Sequence, residues 1–256
     1  MDPELLQLLT ITFIAAVIAD VSMLLGVFPF AILSNMSDRV AGALSAGAGG
    51  MMIAASLVQL LGEGLSRAEG FGVLEVAAGL VAGGAVYAVA ARWVRANKDF
   101  DVFSLRASGG AKSILIVAVM TVHSLPEGVA IGVAFGSREE GLGLAVVSAL
   151  AVHNIPEAIA ITLALRASGV GIWACAGWAM LTSVPQPIAA PFAAWLIWLF
   201  EPLLPAGMGF AAGAMTFLVI DDLLPEAFRK SSAGVVAWAF LAGVTAMMVL
   251  GRLVGL

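Results

Sequence analysis

The stretch GLGLAVVSALAVHNIPEAIAITLALRA, residues 141–167, is apolar almost from end to end, with His153, Glu157 and Arg166 as its only ionisable groups. Wound as a helix at 1.5 Å per residue, a run of this length reaches about 40 Å, enough to cross the roughly 30 Å hydrocarbon core of a bilayer. The whole chain has the same character, being 61% hydrophobic and 11% charged over 256 residues. A soluble domain of that length carries about a quarter charged residues. The exterior is therefore expected to be lipid, and the fold an all-α integral membrane protein.

Working outward, further runs of about 20 apolar residues bounded by Gly, Pro or charge complete a set of eight expected spans. They cover residues 5–30, 40–62, 71–94, 112–136, 141–167, 171–198, 205–228 and 233–254, making 1–256 a single transmembrane domain. The longest polar connection, ARWVRANKDFDVFSLRASGGAK, lies between the third and fourth. The opening MDPELLQLL has no Lys or Arg, so it reads as a retained first span rather than a signal peptide. Arg39, Arg92, Arg95, Lys98, Arg106, Lys112, Arg166, Arg229 and Lys230 fall after odd-numbered spans, against Arg67, Arg138 and Arg252 on the other side. The positive-inside rule then places both termini outside the cytoplasm. The net charge of −5 comes with no acidic or basic run, and without a basic patch nucleic acid is not expected as a partner. The single cysteine, Cys175, excludes an internal disulfide and reads as packing.

The chain's only two histidines occur in an echoed motif, HSLPEGVAI at 123–131 and HNIPEAIAI at 153–161. His123 and Glu127 are four apart and share a helix face, as do His153 and Glu157. An ionisable group at mid-bilayer costs roughly 2.5–3.5 kcal/mol and usually faces a cavity or a partner. The alternative reading is that His and Glu merely pair with one another to glue helices; the repetition argues against it and for a cation. Imidazole nitrogen and carboxylate oxygen suit Zn²⁺, and also Fe²⁺, Mn²⁺ or Cd²⁺. Two neutral histidines and two carboxylates neutralise a divalent ion almost fully. Pro126 and Pro156 leave the carbonyls of Val122 and Val152 without their helical partners, which lipid tolerates only beside a polar cavity or cation. Kinks are expected there. The amide oxygen of Asn154 offers a further ligand.

Other polar residues in apolar runs have two readings each. Asp221, Asp222 and Glu226 in the seventh run form either a staging site on an ion's route or a solvated span end, with Arg229 and Lys230 close by. Glu63 in the second run has the same alternatives. Asp20 either lines the route or pairs with a neighbouring span. Met52 reads as packing before soft ligand. Gln186, between Pro185 and Pro187, sits where the sixth helix must break. A second echo relates GGMMIAASLVQLLGE (49–63) to AGAMTFLVIDDLLPE (212–226), offset by 163 residues. Spans two and seven run oppositely in this topology, so an inverted repeat around a midplane site is expected, a device of secondary transporters.

HSLPEG and HNIPEA resemble the paired signature of the ZIP (Zrt/Irt-like) family of metal transporters, found in that family's fourth and fifth spans. The resemblance implies a homodimer-forming carrier that takes divalent metal, zinc foremost, into the cytoplasm; a bacterial inner membrane is the expected setting, because the chain is compact and lacks a targeting extension. It places transport-site ligands on His123, Glu127, His153 and Glu157, with Asn154 in the motif. The ion is cargo, and no cofactor is implied. Ser124 stands where many bacterial relatives have Asn, and Gln186 where many have Glu. Both changes weaken a second, adjoining metal position, so one ion is expected. The long connection also lacks the family's His-rich stretch. No nucleotide-binding motif is present, so ATP-driven pumping has no support. Alternating access is the expected mechanism, with protonation of the ligands helping release. The rival from another class is an intramembrane zinc-dependent hydrolase, against which stand the missing HExxH and the symmetric motif.

Overall fold

A computed structural model of the chain describes residues 2–32, 37–68, 70–96, 111–139, 141–167 and 169–253; the side chains of 32, 94, 95, 111–123, 153, 156, 160, 163, 164 and 167 are outside that description. Every element among the described residues is helical. The helical rods are α1 (Pro3–Ala31), α2 (Asp38–Ser66), α3 (Gly72–Ala96), α4 (Ala111–Gly136), α5 (Leu142–Ala167), α6 (Ile172–Leu199), α7 (Glu201–Lys230) and α8 (Ala233–Leu253). Among the described residues, seven rods are long and apolar enough to cross a membrane; the described part of α4, Ser124–Gly136, is a shorter apolar helix. Most of the connection between α3 and α4, including Lys98 and Arg106, lies outside the described residues.

The molecule is apolar on both sides of its wall, as lipid requires. Large side chains such as Leu74, Val81, Trp173 and Trp238 face outward. The described interior is built mainly of alanine, with leucine, valine and methionine filling between, including Ala16, Ala19, Leu60, Met52, Met208 and Met215. Lipid removes the hydrophobic drive between helices, so close backbone contact through small residues has to hold the rods together. Gly79 and Gly83 of α3 meet Gly209 and Gly213 of α7 in this way: a Cβ at Gly83 would run into the Phe210 carbonyl, and one at Gly213 into that of Leu80. The same construction joins α4 to α6, where Gly128 and Gly132 lie against the carbonyls of Gln186 and Ala190. These contacts sort the rods into two sets. α4 packs chiefly on α6, with α1 against α5 and α6; α7 packs chiefly on α3, and α8 on α2.

Four rods are interrupted. α1 breaks at Ser22 and α6 at Val184, the latter immediately before the Pro185-Gln186-Pro187 run. α2 and α7 each contain a π-helical segment, Ala55–Leu60 and Val219–Leu223. Those segments fall at matching places in the two sequences that echo each other at an offset of 163 residues. π turns cluster at functional sites because the extra residue frees backbone groups from the regular ladder. By contrast α4 and α5 stay helical through Pro126 and position 156.

Candidate metal site

The broken ends of α1 and α6 meet the middle of α4 and α5, and buried polar side chains collect there. Glu127 on α4 is 1% exposed, Asn154 and Glu157 on α5 are 1% and 4%, Gln186 on α6 is 0%, and Asp20 on α1 is 4%. In a bundle whose core is otherwise Ala, Met and Leu, that concentration marks a site.

Hydrogen bonds set two of these side chains, Asn154 and Asp20, and tie the surrounding helices together. The Asn154 amide nitrogen donates to the Ala19 carbonyl at 2.8 Å. That fixes the amide and leaves Oδ1, also buried, accepting nothing among the described residues. The Ser22 hydroxyl lies 2.6 Å from both the Ala19 and Ala151 carbonyls, stitching the break in α1 to α5 just ahead of the second motif. The Ser124 hydroxyl donates to the Thr182 carbonyl at 3.0 Å, which ties α4 to α6. The Ser183 hydroxyl donates to Asp20 Oδ1 at 2.5 Å, joining the two helix breaks. Gln186, one turn beyond Ser183, has both amide atoms buried and unpartnered among the described residues. Oxygen-rich, anionic and dry, this surface fits a hard or borderline divalent cation.

The side chains of His123 and His153 lie outside the described residues, so the histidine half of the motif is placed only by its backbone, each four residues before its glutamate on α4 or α5. Among the described residues, which lack both histidine side chains, no three His, Cys, Asp or Glu groups form a metal-binding cluster.

The remaining sequence candidates are placed elsewhere. Met52 is fully buried in the apolar core with Leu60 and Met215. Glu63 accepts from Arg67 at 2.5 Å, and Arg67 also reaches Glu139, 2.5 Å away in the α4–α5 connection. Glu226 is ion-paired with Arg229 and with Lys230, the latter at 2.8 Å. Asp222, in the π segment of α7, accepts from the Tyr87 hydroxyl at 2.7 Å. Asp221 is half-buried beside it. Cys175 is buried against α1 and α5, among Met23, Ala158 and Leu165. The sequence reading missed Ser22, Thr182, Ser183 and Tyr87. A signal existed for Thr182 and Ser183, which stand just ahead of the helix-breaking Pro185.

An all-helical membrane bundle with buried carboxylates and amides at the meeting point of two broken helices defines the class, an integral membrane protein built around a polar intramembrane site. A family model described as ZIP Zinc transporter matches residues 100–251. The zinc transporter GufA of Myxococcus xanthus is 33% identical over 254 residues, covering 93% of this chain and 98% of that one. A putative zinc transporter of Arabidopsis thaliana is 34% identical over 90% of this chain, and human zinc transporter ZIP11 is 40% identical over 52% of it. The matches span only 36% and 41% of those two longer proteins. The chain belongs to the ZIP family. Membership in a family of transporters gives the hydrolase alternative no support.

Proposed function

We propose that this chain carries a divalent metal ion, zinc first and Fe²⁺, Mn²⁺ or Cd²⁺ by the same ligand chemistry, across the membrane into the cytoplasm by alternating access. The observation that carries the reading is the burial of Glu127 on α4 and of Asn154 and Glu157 on α5, in stretches that Ser124 ties to α6 and Asn154 ties to α1. Two carboxylates in so dry a place are stabilised by a bound cation. His123 and His153 complete the ligand set, one turn before each glutamate. The names of GufA and ZIP11 favour zinc as cargo.

α4 counts as the eighth membrane crossing, and both termini lie outside the cytoplasm of a bacterial inner membrane. The matching π segments and the mirrored glycine contacts of α2 with α8 and α7 with α3 support an inverted repeat. The packing preferences suggest which parts move: α4 and α5, with their partners α6 and α1, against a scaffold of α2, α3, α7 and α8. Asp221 and Asp222 line an access route, while Glu63 and Glu226 stand at span ends in ion pairs. A homodimer follows the family. The direct test is uptake of radiolabelled zinc into proteoliposomes. Saturable uptake above empty liposomes is expected; uptake no greater than in empty liposomes for Zn²⁺, Fe²⁺, Mn²⁺ and Cd²⁺ alike sinks the reading.

One ion per chain is part of this reading, because Ser124 is spent on the Thr182 carbonyl and Gln186 brings no charge. Gln186→Glu should therefore raise the zinc bound per chain from one toward two in equilibrium dialysis. A stoichiometry of two in the unaltered protein contradicts it.

A further inference from the structure

Asp20 is the buried carboxylate that the paired motif does not account for. It closes the first half of α1, at the break, and is 4% exposed. The Ser183 hydroxyl holds one of its oxygens at 2.5 Å, while the other accepts no hydrogen bond among the described residues. No Lys or Arg pairs with it among the described residues. A carboxylate in a dry interior is costly to keep charged unless a cation or hydrogen-bond donors offset it, and Ser183 alone engages Asp20 among the described residues.

Two independent features point the same way. Asn154 bonds the Ala19 carbonyl, next to Asp20 in the chain, and presents a buried Oδ1 that nothing described engages. Gln186 is one turn along α6 from Ser183, the residue that holds Asp20, and its buried amide is likewise unengaged. Its backbone is pressed against Gly128, the residue after Glu127. Asp20, Asn154, Gln186 and Glu127 thus converge from four helices.

We propose that Asp20 lines the ion position from the α1 side, its carboxylate supplying the negative charge that Gln186 lacks, so that cargo is held by α1 and α6 as well as by α4 and α5. The inference rests on the reading of the chain as a metal carrier. Ser183 then acts as the positioning residue, aiming the free Asp20 oxygen at the ion.

The test is a thiolate substitution with a spectroscopic readout. Asp20→Cys, titrated with Cd²⁺ as the full-length protein in detergent, should develop the ultraviolet thiolate-to-cadmium charge-transfer band, which the unaltered protein with its buried Cys175 should lack. In uptake, Asp20→Asn should raise the zinc concentration for half-maximal rate roughly tenfold, as expected for a lost charge at the site. The double variant Asp20→Asn with Gln186→Glu should recover most of that loss. Ser183→Ala, which keeps the charge, should cost less than Asp20→Asn. Cadmium binding to Asp20→Cys without the band, or equal losses in Ser183→Ala and Asp20→Asn with no rescue, overturns the role of Asp20 alone. Absence of cadmium binding and zinc uptake in the unaltered protein overturns the carrier reading, and this inference with it.

Discussion

Glu127→Gln and Glu157→Gln should each lower zinc uptake into proteoliposomes on the order of 100-fold or more, with the protein still folded. The exchange keeps shape and removes one negative charge from an interior where both side chains are nearly fully enclosed. Outer partners of metal ligands are already worth 10–100-fold, so a direct anionic ligand should exceed that. Loss by misfolding is the rival explanation, and its sign separates the two. A buried carboxylate is costly to keep charged, so the neutral amide should leave the melting temperature of the metal-free protein unchanged or higher. Added zinc should raise that temperature in the unaltered protein, by mass action, and barely at all in either variant. Uptake within threefold of normal in both variants removes the two glutamates from the transport site.

Gly213→Leu should destabilise the fold strongly. A Cβ at that position meets the Leu80 backbone of α3, and backbone does not step aside as a flexible side chain does. Overpacking of an interior commonly costs 1–3 kcal/mol. Here the α3–α7 seam has to open along its length, so about 3 kcal/mol or more is expected, seen as a broadened size-exclusion profile and a melting temperature lowered by several degrees. Gly177→Leu is the matched control, since nothing lies within 4 Å of a Cβ there. Its effect should stay within about 0.5 kcal/mol. Equal behaviour of the two variants removes close backbone contact as the source of stability in this seam.

Seven of the eight expected spans correspond to long apolar rods among the described residues, legible in the sequence because lipid leaves little room for ambiguity. Apolar runs such as 205–228 and 233–254 correspond to rods at Glu201–Lys230 and Ala233–Leu253, with ends differing by a few residues at most. The break in α6 was legible as well, since two prolines flank Gln186, although the interruption falls at Val184, just ahead of them, and the helix resumes at Pro185. The break at Ser22 and the π segment of α2 were not, whereas Pro225, just past the π segment of α7, was a cue that went unread there. At the site the pattern was similar. Glu127 and Glu157 stood out as charges in apolar runs. The orientation of Asn154 is decided by a carbonyl 135 residues away, which no local pattern encodes. The pairing of Glu63 with Arg67 was readable as an i, i+4 pair, whereas the reach of Arg67 to Glu139 required the fold.

The glycine seam between α4 and α6 reaches beyond stability. Where Gly128 and Gly132 lie directly on carbonyls, no flexible side chains intervene to absorb sliding. On the proposed alternating access, Glu127 and Gln186 would travel as parts of one plank, and the α4 and α6 sides of the ion's surroundings would be the same whichever way the site opens. A cradle of constant shape has one affinity at both faces and acts as a ferry rather than a pump. Net traffic is then governed by what lies on either shore and by the membrane voltage, worth about 4.6 kcal/mol per 100 mV for a doubly charged passenger. An imposed inside-negative potassium diffusion potential should accordingly accelerate zinc entry into proteoliposomes, and its reversal should drive the metal out.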